Sequence, residues 1–378
     1  MYSAYILCFI LMFLIFCLFR GLKSKRVYSD DTTQKTTISI IISARNEAHN
    51  IEHLLSSIQK IKYSKNKYEI ILIDDNSTDN TFQKIMSFKE SVSNDIRNTF
   101  AVKCHVIKLV KDNPSKFDTS QKEYTVYAKE GKKNAIQIGI DSSQYEWIAL
   151  SDADCILHTD WLLSIDSHIQ DKPKSSMFIG YCPEMYHSPF QYFKQVALAI
   201  NYASTTLAGF PVSCTGRNLV FNKQTFYDVG GYNGLFNYPA GDDKLLLKRF
   251  QKNKKKIGYI AFPFLHTRPV HQSELKQQNV RRFGKFFMSL LSWQLGKVFI
   301  GALLLFLPIE LILRFPESIT PMIAFIITIN LYMTVGFILH KERIKCVYYF
   351  YSIIFPYYMM VQMLYSLFVK WTWKGNRS

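Results

Sequence analysis

The sequence predicts an α/β domain with a mainly parallel, doubly wound sheet, placed between apolar segments at both ends of the chain. Three observations support this prediction. Strand and helix patterns alternate between residues 37 and 150, acidic clusters follow the predicted strands, and long apolar runs occur only near the two ends. Alternating strands and helices are typical of a parallel sheet. Such sheets bind their ligands at the carboxyl ends of the strands, which is where the acidic clusters fall.

The individual elements follow from local patterns. Residues 37–43 are apolar and β-branched, which predicts a buried strand. Residues 45–60 place Ile51, Leu54, Leu55 and Ile58 at helical spacing. The same criteria predict further strands at residues 68–73, 102–109 and 147–150, and further helices at residues 79–88 and 133–140.

The apolar segments predict a membrane protein. Residues 2–19 are long enough to cross a bilayer as one helix. Four basic residues follow and no cleavage site does, which favours an anchor whose C-terminal side faces the cytoplasm. About three more spans are predicted, near residues 298–313, 319–339 and 346–369, with a basic, cytoplasmic loop at residues 340–345. The first of these is short, which suits a tilted span or a hairpin partner. Four spans would return the tail to the side where the chain starts, whereas its basic residues Lys370, Lys374 and Arg377 favour the inside. The side of the C-terminus therefore stays open, with a re-entrant segment as one alternative.

Composition narrows the class of partner. The chain has 378 residues and a formal net charge of +17, which suits a binder of phosphates or of a membrane surface. No helix-turn-helix, RNP-like or zinc-finger pattern accompanies the basic residues, so nucleic acid is not the predicted partner. The seven cysteines are scattered without a C-x-x-C pair, which fits a reducing compartment.

The first acidic cluster is IDDNSTDN at residues 73–80. Asp74 and Asp75 come directly after a predicted strand, where a carboxylate can accept hydrogen bonds from a base or from ribose hydroxyls. The alternative is a helix cap formed by Asn76, Ser77 or Thr78, and Asp75 is compatible with both.

The second and third clusters are SDAD at residues 151–154 and GDD at residues 241–243. Asp152 and Asp154 point the same way on an extended chain and predict a site for Mg²⁺ or Mn²⁺, shared with substrate phosphates. Asp242 and Asp243 open a predicted helix, where one acid can cap and the other can remove a proton from a substrate hydroxyl. The pattern alone leaves open which of the two is the base.

Seven segments, in this order, resemble the inverting glycosyltransferases of family 2, which have the GT-A fold. They are IISARNE (41–47), IDDNSTDNT (73–81), GKKNAIQIGI (131–140), ALSDAD (149–154), CTGRNLVF (214–221), VGGY (229–232) and AGDDKLL (240–246). The resemblance extends from about residue 37 to residue 285. It implies a Rossmann-like GT-A catalytic domain that uses a nucleotide-diphosphate sugar.

The resemblance also implies roles for single residues. Ala44 and Glu47 are expected to flank the base and ribose, and Asp75 to be the main contact to the nucleoside. The donor phosphates are expected near Lys132.

Further roles concern the donor sugar and the reaction. Asp152 is expected beside the donor sugar and ribose, and Asp154 on the metal. The loop with Gly216, Arg217 and Asn218 resembles the one that lines the donor sugar and acceptor pocket. Asp243 matches the family's catalytic base, with Asp242 before it.

One segment departs from the pattern of the polymer-forming membrane synthases of this family, which have Q-x-x-R-W. Here Gln278 and Arg281 are followed by Arg282 and Phe283. Either arginine can clamp the diphosphate. The alternative is an amphipathic helix on the bilayer surface. The missing tryptophan favours limited over processive addition.

These inferences give a complete prediction. Its parts are a membrane anchor at residues 1–20, a basic linker at 21–36, the GT-A domain at 37–275, an amphipathic interface helix at 276–297, membrane helices at 298–370 and a tail at 371–378. The predicted activity is inverting, metal-dependent transfer from a nucleotide sugar, UDP-linked by resemblance. The acceptor is a lipid-linked or envelope saccharide at the cytoplasmic face of the cell (inner) membrane. The alternative is a non-catalytic membrane scaffold or partner subunit that keeps the fold.

Overall fold

A computed structural model describes most of the chain. The described residues are 2–23, 34–93, 102–110, 125–127, 131–184, 188–236, 241–262, 265–267, 294–368, 372–373 and 376–377. The chain forms two compact units. An α/β unit comprises Lys25–Met185 and Gly209–Arg268, and a helical unit comprises Met1–Ser24, Tyr186–Ala208 and Pro269–Ser378.

The strands and longer helices are numbered in chain order. The strands are β1 Ile38–Ala44, β2 Tyr68–Asp75, β3 Lys103–Val110, β4 Thr125–Tyr127, β5 Trp147–Asp152, β6 Cys155–Ile156, β7 Ser175–Gly180, β8 Leu219–Asn222, β9 Lys256–Ile260, β10 His266–Thr267, β11 Thr372–Trp373 and β12 Asn376–Arg377. The helices are α1 Tyr2–Lys23, α2 Ile51–Ile58, α3 Thr81–Ser93, α4 Lys132–Ser142, α5 Trp161–Asp171, α6 Pro189–Leu207, α7 Lys223–Asp228, α8 Asp242–Lys252, α9 Gln294–Leu313, α10 Ile319–Leu339 and α11 Val347–Phe368.

The α/β unit is built on an eight-stranded sheet in the order β4-β3-β2-β1-β5-β8-β7-β9. All neighbours pair in parallel except β8, which is antiparallel to both β5 and β7. The predicted mainly parallel sheet is therefore confirmed. Each predicted strand between residues 37 and 150 is present, with its bounds shifted by no more than two residues.

The centre of the sheet is apolar on both faces, as expected for strands covered by helices. Ile40, Ile41 and Ile42 of β1 are fully buried, and so are the apolar residues at the centre of β2. A Cβ atom on Gly139 of α4 would lie 2.7 Å from Ile41 Cγ2 and from Ile73 Cδ1. Only glycine therefore allows α4 to pack this closely on β1 and β2.

Two predicted helices start later than their patterns indicate. The structure begins α2 at Ile51 and α3 at Thr81, six and two residues after the predicted starts. Asn46 and Asn76 have left-handed backbone angles, φ 54° and 56°, which end each extended segment in a turn. These two turns form part of the candidate site.

Within the described residues, the helical unit contains α1, α6, α9, α10 and α11, with a short hairpin of β11 and β12. α1 packs along α10, and α6 contacts α1, α10 and α11. Phe193 of α6 lies between Phe337 of α10 and Phe355 of α11, with ring centroids 6.2 and 5.7 Å away. The prediction of one continuous domain over residues 37–275 did not distinguish α6 from the rest of the α/β domain.

Two helices within the described ranges are long and apolar enough to cross a membrane, judged by length and composition. They are Tyr2–Leu22 and Ile319–Leu339. They coincide with the predicted N-terminal anchor and with the second of the three predicted C-terminal spans. The other two predicted spans are helical, as α9 and α11. The total number of spans stays a prediction.

Candidate active site

The candidate site lies at the carboxyl edge of the sheet, where β1, β2 and β5 end side by side. The register pairs Ala44 with Asp74 and Ser43 with Asp152. The ends of the segments that contain Glu47, Asp75 and Asp154 therefore meet at one edge. This placement follows from parallel strand order, as the sequence predicts.

The loop after β1 is attached to the loop after β2 by hydrogen bonds from backbone amides to side chains. Glu47 N donates to Thr81 Oγ1 (2.9 Å), and Ala48 N donates to Asp79 Oδ2 (3.1 Å). Asn46 N donates to Ser77 Oγ at 3.0 Å. We call these contacts the loop clamp. They fix the backbone beside Ala44 and Glu47, the two residues expected near the base and ribose.

The loop clamp gives the NSTDNT segment a role different from the capping alternative. Thr78 N donates back to Asn46 Oδ1 at 2.8 Å, so this segment connects two loops. Asp79 Oδ1 accepts from the amide of Thr81, the first residue of α3, at 3.0 Å. Asp79 therefore accepts the hydrogen bond from the first residue of α3, whereas the capping alternative proposed Asn76, Ser77 or Thr78 for this position.

The two acids at the end of β2 have different environments. Asp75 Oδ1 accepts a hydrogen bond from Gly131 N at 2.9 Å, just before α4. Asp74 is fully buried, and its Oδ2 atom accepts from Ser77 N at 3.3 Å. Burial raises the pKa of the Asp74 carboxyl. Asp74 is therefore a core residue, whereas Asp75 joins the start of α4 to the site.

Lys132, the first residue of α4, connects two acidic clusters. Its Nζ atom lies 2.6 Å from Asp152 Oδ1 and 3.7 Å from Asp242 Oδ2. Burial disfavours the ammonium form, but the Asp152 and Asp242 carboxylates outweigh it and raise the pKa of Lys132. The lysine is therefore charged, and its side chain stays 29% exposed. It is accessible to a phosphate group.

Asp154 completes the SDAD cluster. Burial, together with the nearby Asp152 carboxylate, raises the pKa of Asp154 to about 7. The Cys155 thiol donates to Asp154 Oδ1 at 3.7 Å. In the described ranges, no three potential ligands come together as a preformed metal cluster. The chemistry of this two-carboxylate set fits Mg²⁺ or Mn²⁺, which bind few protein carboxylates and take further oxygens from phosphate.

The loop that contains Gly216 lies against Asp242 and Asp243 at the start of α8. Its amide donates to Asp243 Oδ2 at 3.2 Å. A Cβ atom at this position would lie 3.3 Å from Asp242 Oδ2 and 3.7 Å from Lys132 Nζ. Glycine therefore gives the loop its close approach to both charges, and the structure brings together Gly216, Lys132 and the two acids.

The other two residues predicted on this loop, Arg217 and Asn218, form hydrogen bonds with other residues of the same chain. Arg217 Nη1 donates to Glu184 Oε1 and to Thr267 Oγ1, both at 2.7 Å. Asn218 is fully buried; its Oδ1 accepts from Trp161 Nε1 at 3.1 Å, and its Nδ2 donates to Tyr181 O at 2.9 Å. These contacts fix the loop from behind. A direct contact of either side chain with a donor stays a prediction.

The two acids of α8, which we call the acid pair, are held in different ways. Asp243 accepts from Lys244 N at 2.7 Å through Oδ1 and from Gly216 N through Oδ2. Asp242 faces Lys132. Gly241 precedes them with φ 87°, a left-handed conformation that favours glycine. The predicted diphosphate clamp, Arg281 and Arg282, lies outside the described residues.

Sequence reasoning did not find Glu184, Thr267 or Asn46. Glu184 is buried in an irregular segment after β7, where no pattern indicates an ion pair with Arg217. Asn46 was visible in the RNE segment, and asparagine is one of the few residues that enter left-handed turns. That preference was the one available signal.

Comparison with known proteins identifies the family to which the chain belongs. Residues 39–102 match the profile of glycosyl transferase family 2, and residues 106–373, more than half of the chain, match that of glycosyl transferase family 21. Poly-beta-1,6-N-acetyl-D-glucosamine synthase of Staphylococcus aureus (strain COL) is 28% identical over 201 residues, which are 51% of this chain and 41% of that protein. The corresponding synthase of Staphylococcus epidermidis (strain ATCC 35984) is 26% identical over 201 residues, with the same coverage of both chains.

The chain thus covers about two fifths of the length of the relatives that it matches. Among solved structures, the mannosyltransferase PcManGT from Pyrobaculum calidifontis, in complex with GDP-Man and Mn²⁺, is similar over 99% of both chains. The TM-score is 0.53 and the sequence identity is 16%. The likeness is one of fold, and it confirms the predicted GT-A architecture.

Proposed function

The chain belongs to glycosyl transferase family 21, with a match to family 2 at residues 39–102, and on that premise we propose that it transfers a sugar from a UDP-sugar to a lipid-linked or envelope saccharide. The observation that supports this best is the convergence at Lys132. Its ammonium nitrogen lies 2.6 Å from Asp152 Oδ1 and 3.7 Å from Asp242 Oδ2, and a Cβ atom on Gly216 would lie 3.7 Å from it. These three residues come from three separate sequence segments. A positive group between two acids at a sheet edge suits a nucleotide diphosphate.

The donor is proposed to bind at the carboxyl edge. Ala44 and Glu47 flank the base and ribose, and Asp75 accepts hydrogen bonds from the nucleoside. Lys132 offers its ammonium group to the diphosphate. UDP-N-acetylglucosamine is the first donor to test, because the matched staphylococcal relatives are named as synthases of an N-acetylglucosamine polymer.

A divalent cation is proposed to bind through Asp154 and Asp152. When bound, Mg²⁺ or Mn²⁺ neutralises charge on the diphosphate leaving group. The fit rests on the two carboxylates, whose mutual repulsion is part of why the pKa of Asp154 is raised. Cys155 orients Asp154, and Lys132 orients Asp152.

Asp243 is the proposed base. Two backbone amides, of Gly216 and Lys244, donate hydrogen bonds to its carboxylate and orient it. It removes the proton of the acceptor hydroxyl, whose oxygen attacks the anomeric carbon from the face opposite the departing UDP, so the configuration inverts. Asp242 is instead held toward Lys132. This difference favours Asp243 over Asp242 as the base.

The acceptor side is proposed to be the cytoplasmic face of the membrane. The helical unit contains two helices that are long and apolar enough to span a bilayer. Basic residues follow the first of them, which favours a cytoplasmic location for the adjoining domain. A lipid-linked or envelope saccharide is the acceptor class that meets an enzyme at this place.

The test is nucleotide release by the detergent-purified protein. A panel of UDP-, GDP- and dTDP-sugars is incubated with Mn²⁺, with Mg²⁺ and with EDTA, beside the variant Asp154→Ala. We expect release from one donor, dependent on the metal and lost in the variant. Absence of release from every donor, together with absence of nucleotide binding by calorimetry, would refute the proposal and leave the scaffold alternative.

A further inference from the structure

Glu184 and Arg217 form a buried ion pair behind the loop that contains Gly216. The Glu184 side chain is 0% exposed, and its Oε1 atom accepts a hydrogen bond from Arg217 Nη1 at 2.7 Å. Removing two charges from water offsets much of their attraction, and apolar side chains of similar volume often stabilise a core equally well. The ion pair therefore calls for an explanation other than stability.

The Arg217 guanidinium group is held from a second side by Thr267. Thr267 Oγ1 accepts from the same Nη1 atom at 2.7 Å, and Thr267 N donates to Pro183 O at 3.0 Å. Glu184 and Thr267 also form a backbone bridge, so the two acceptors are joined to each other. Hydrogen bonds from a charged donor at this length are strong and directional. Together they hold the guanidinium group in one position.

The backbone next to Arg217 carries this constraint to the proposed base. Arg217 directly follows Gly216, whose amide donates to Asp243 Oδ2 at 3.2 Å. This distance is at the long end for a hydrogen bond from N–H to oxygen, so a backbone shift of about 0.5 Å takes it out of range. A continuous series of contacts thus leads from Glu184 through Arg217 and Gly216 to Asp243.

We propose that Glu184 is a positioning residue for Asp243. Through Arg217 it fixes the Gly216 amide, and the amide holds the Asp243 carboxylate in the orientation in which it removes the proton of the acceptor hydroxyl. The inference rests on the proposed function, because it takes Asp243 as the base. Glu184 acts through Arg217 and not by contact with the substrate, so its effect falls on the rate of transfer and not on donor affinity.

The direct test is Glu184→Gln, which keeps the shape and an acceptor oxygen but removes the charge. The matched control is Glu69→Gln. Glu69 is also 0% exposed, and its Oε1 atom accepts from Ser39 Oγ and Gln144 N, both at 2.6 Å, near the start of β2 at the opposite edge of the sheet. For both variants kcat and the KM for donor are measured in detergent. The value of kcat is expressed per donor-binding site, counted by calorimetric titration with UDP, so that unfolded protein does not enter it.

We expect Glu184→Gln to lower kcat roughly tenfold to a hundredfold, because a misplaced base loses its alignment with the acceptor hydroxyl. The KM for donor stays within about threefold, because Lys132 and the loop clamp are unchanged. Glu69→Gln leaves both constants unchanged. Wild-type kcat per site for Glu184→Gln would overturn the inference, as would an equal loss of kcat in Glu69→Gln.

A second variant tests the same series of contacts without removing a charge. Thr267→Val keeps the shape and removes the other acceptor of Arg217, and we expect it to lower kcat about threefold to tenfold at unchanged KM. Its control is Thr206→Val in the helical unit, where a buried hydroxyl donates to Tyr202 O at 2.6 Å and kcat should not change. Where Glu184→Gln yields no donor-binding sites, Thr267→Val decides, and wild-type kcat for it would overturn the inference.

An Asp243→Asn background separates positioning of the base from general damage. There Glu184→Gln is expected to change the residual rate less than about twofold, because the base that it positions is gone. A further loss as large as in the wild-type background would overturn the inference. All of these results leave the proposed function intact. Inactivity of the wild-type protein with every donor, without UDP binding, would refute the proposed function, and the inference with it.

Discussion

At the scale of single residues, the site separates acids that the sequence presents as equivalent pairs. Asp74 and Asp75 are adjacent, yet one is sealed in the core and the other bonds to the loop before α4. Asp242 and Asp243 are adjacent too, yet one faces a lysine and the other two backbone amides. Side-chain direction on a strand end or a helix start decides the role, and a pattern of letters does not record it.

The acid pair gives the first prediction. Asp243→Asn keeps the shape and one of the two hydrogen bonds from backbone amides but removes the base, so we expect kcat to fall roughly 10²–10⁴-fold with donor binding retained. Asp242→Asn loosens Lys132 without removing the base and is expected to lower kcat only about tenfold. Transfer rates and calorimetric binding of UDP measure both. The reverse order of the two effects would assign the base to Asp242.

Asp74 gives a prediction about stability and pH. Its folded-state pKa is raised by burial, so the ionised carboxylate destabilises the fold at pH values above that pKa. Asp74→Asn is expected to raise the thermal midpoint by about 2–4 °C at neutral pH. As the pH falls through the folded-state pKa the wild-type residue takes up a proton and this gain shrinks.

Thermal unfolding of Asp74→Asn between pH 8 and pH 5 provides the measurement. The control is Asp228→Asn, an exposed residue whose carboxylate accepts a hydrogen bond from Gln224 one turn earlier. It should show no gain at any pH. A midpoint that falls at neutral pH would mean that the Asp74 charge is needed, and would contradict the account of it as a core residue.

Much of the candidate site could be predicted at this scale, because acids at strand ends obey a simple rule of parallel sheets. Asp75, Asp152 and Asp154 fall where the pattern placed them. The contacts of Arg217 and Asn218 could not be predicted, since they depend on Glu184 and Trp161, which are distant in sequence. Such long-range pairings arise only when the chain is folded.

At the scale of elements, the loop clamp explains why polar residues continue past the acids of β2. The nucleoside proposed to bind at the strand ends needs a fixed backbone on both sides. The turns at Asn46 and Asn76 are held in place by hydrogen bonds between the two loops. Thr81, Asp79 and Ser77 each accept a backbone amide from the loop after β1. The hydrophobic pattern predicted that α2 starts at residue 45, six residues too early, because the spacing of apolar residues carries no information on these hydrogen bonds.

The loop clamp gives a prediction on donor affinity. Asp79→Ala removes the acceptor of both Ala48 N and Thr81 N. We expect the KM for donor to rise about tenfold, because the loop after β1 loses two of its hydrogen bonds. The value of kcat should stay within about threefold, because the catalytic base Asp243 is unchanged. Asp228→Ala is the control, far from these loops in sequence and exposed. A fall in kcat at unchanged KM would contradict this role of the clamp.

Helix packing in the helical unit gives a matched pair of glycine variants. A Cβ on Gly336 of α10 would lie 2.5–2.6 Å from three atoms of Ile200, a β-branched side chain of α6. A Cβ on Gly21 of α1 would meet the flexible end of Leu207 at 2.7 Å, which can rotate away. Gly336→Ala is therefore expected to destabilise by about 1–3 kcal/mol, whereas Gly21→Ala is about neutral.

Thermal unfolding in one detergent compares the two variants directly. Both replace a helical glycine by the best helix former, so the difference between them isolates packing of α6 on α10 from helix propensity. Equal midpoints would show that Ile200 yields as easily as Leu207. This close approach was not predictable, because nothing in a hydrophobic pattern states which helix a glycine faces.

At the scale of the whole molecule, the chain combines a GT-A unit with a helical unit that includes α6, taken from between β7 and β8. The sequence predicted the two classes of structure, since length and hydropathy separate apolar spans from a sheet. It could not assign α6, whose apolar and aromatic face reads equally well as part of an α/β core. The net charge of +17 suits the two proposed partners, the donor phosphates and the membrane surface.

Topology gives the last prediction, and the chain contains its own probe. All seven cysteines are free thiols, and Cys346, at the end of the basic loop between α10 and α11, is the exposed one. Basic loops stay on the cytoplasmic side of a membrane, so Cys346 should lie there. A membrane-impermeant maleimide should therefore label the protein in inside-out vesicles and not in intact spheroplasts. Cys346→Ser should abolish the labelling, which assigns it to this thiol. Labelling of intact spheroplasts would contradict the prediction, because it would place the loop outside the cell.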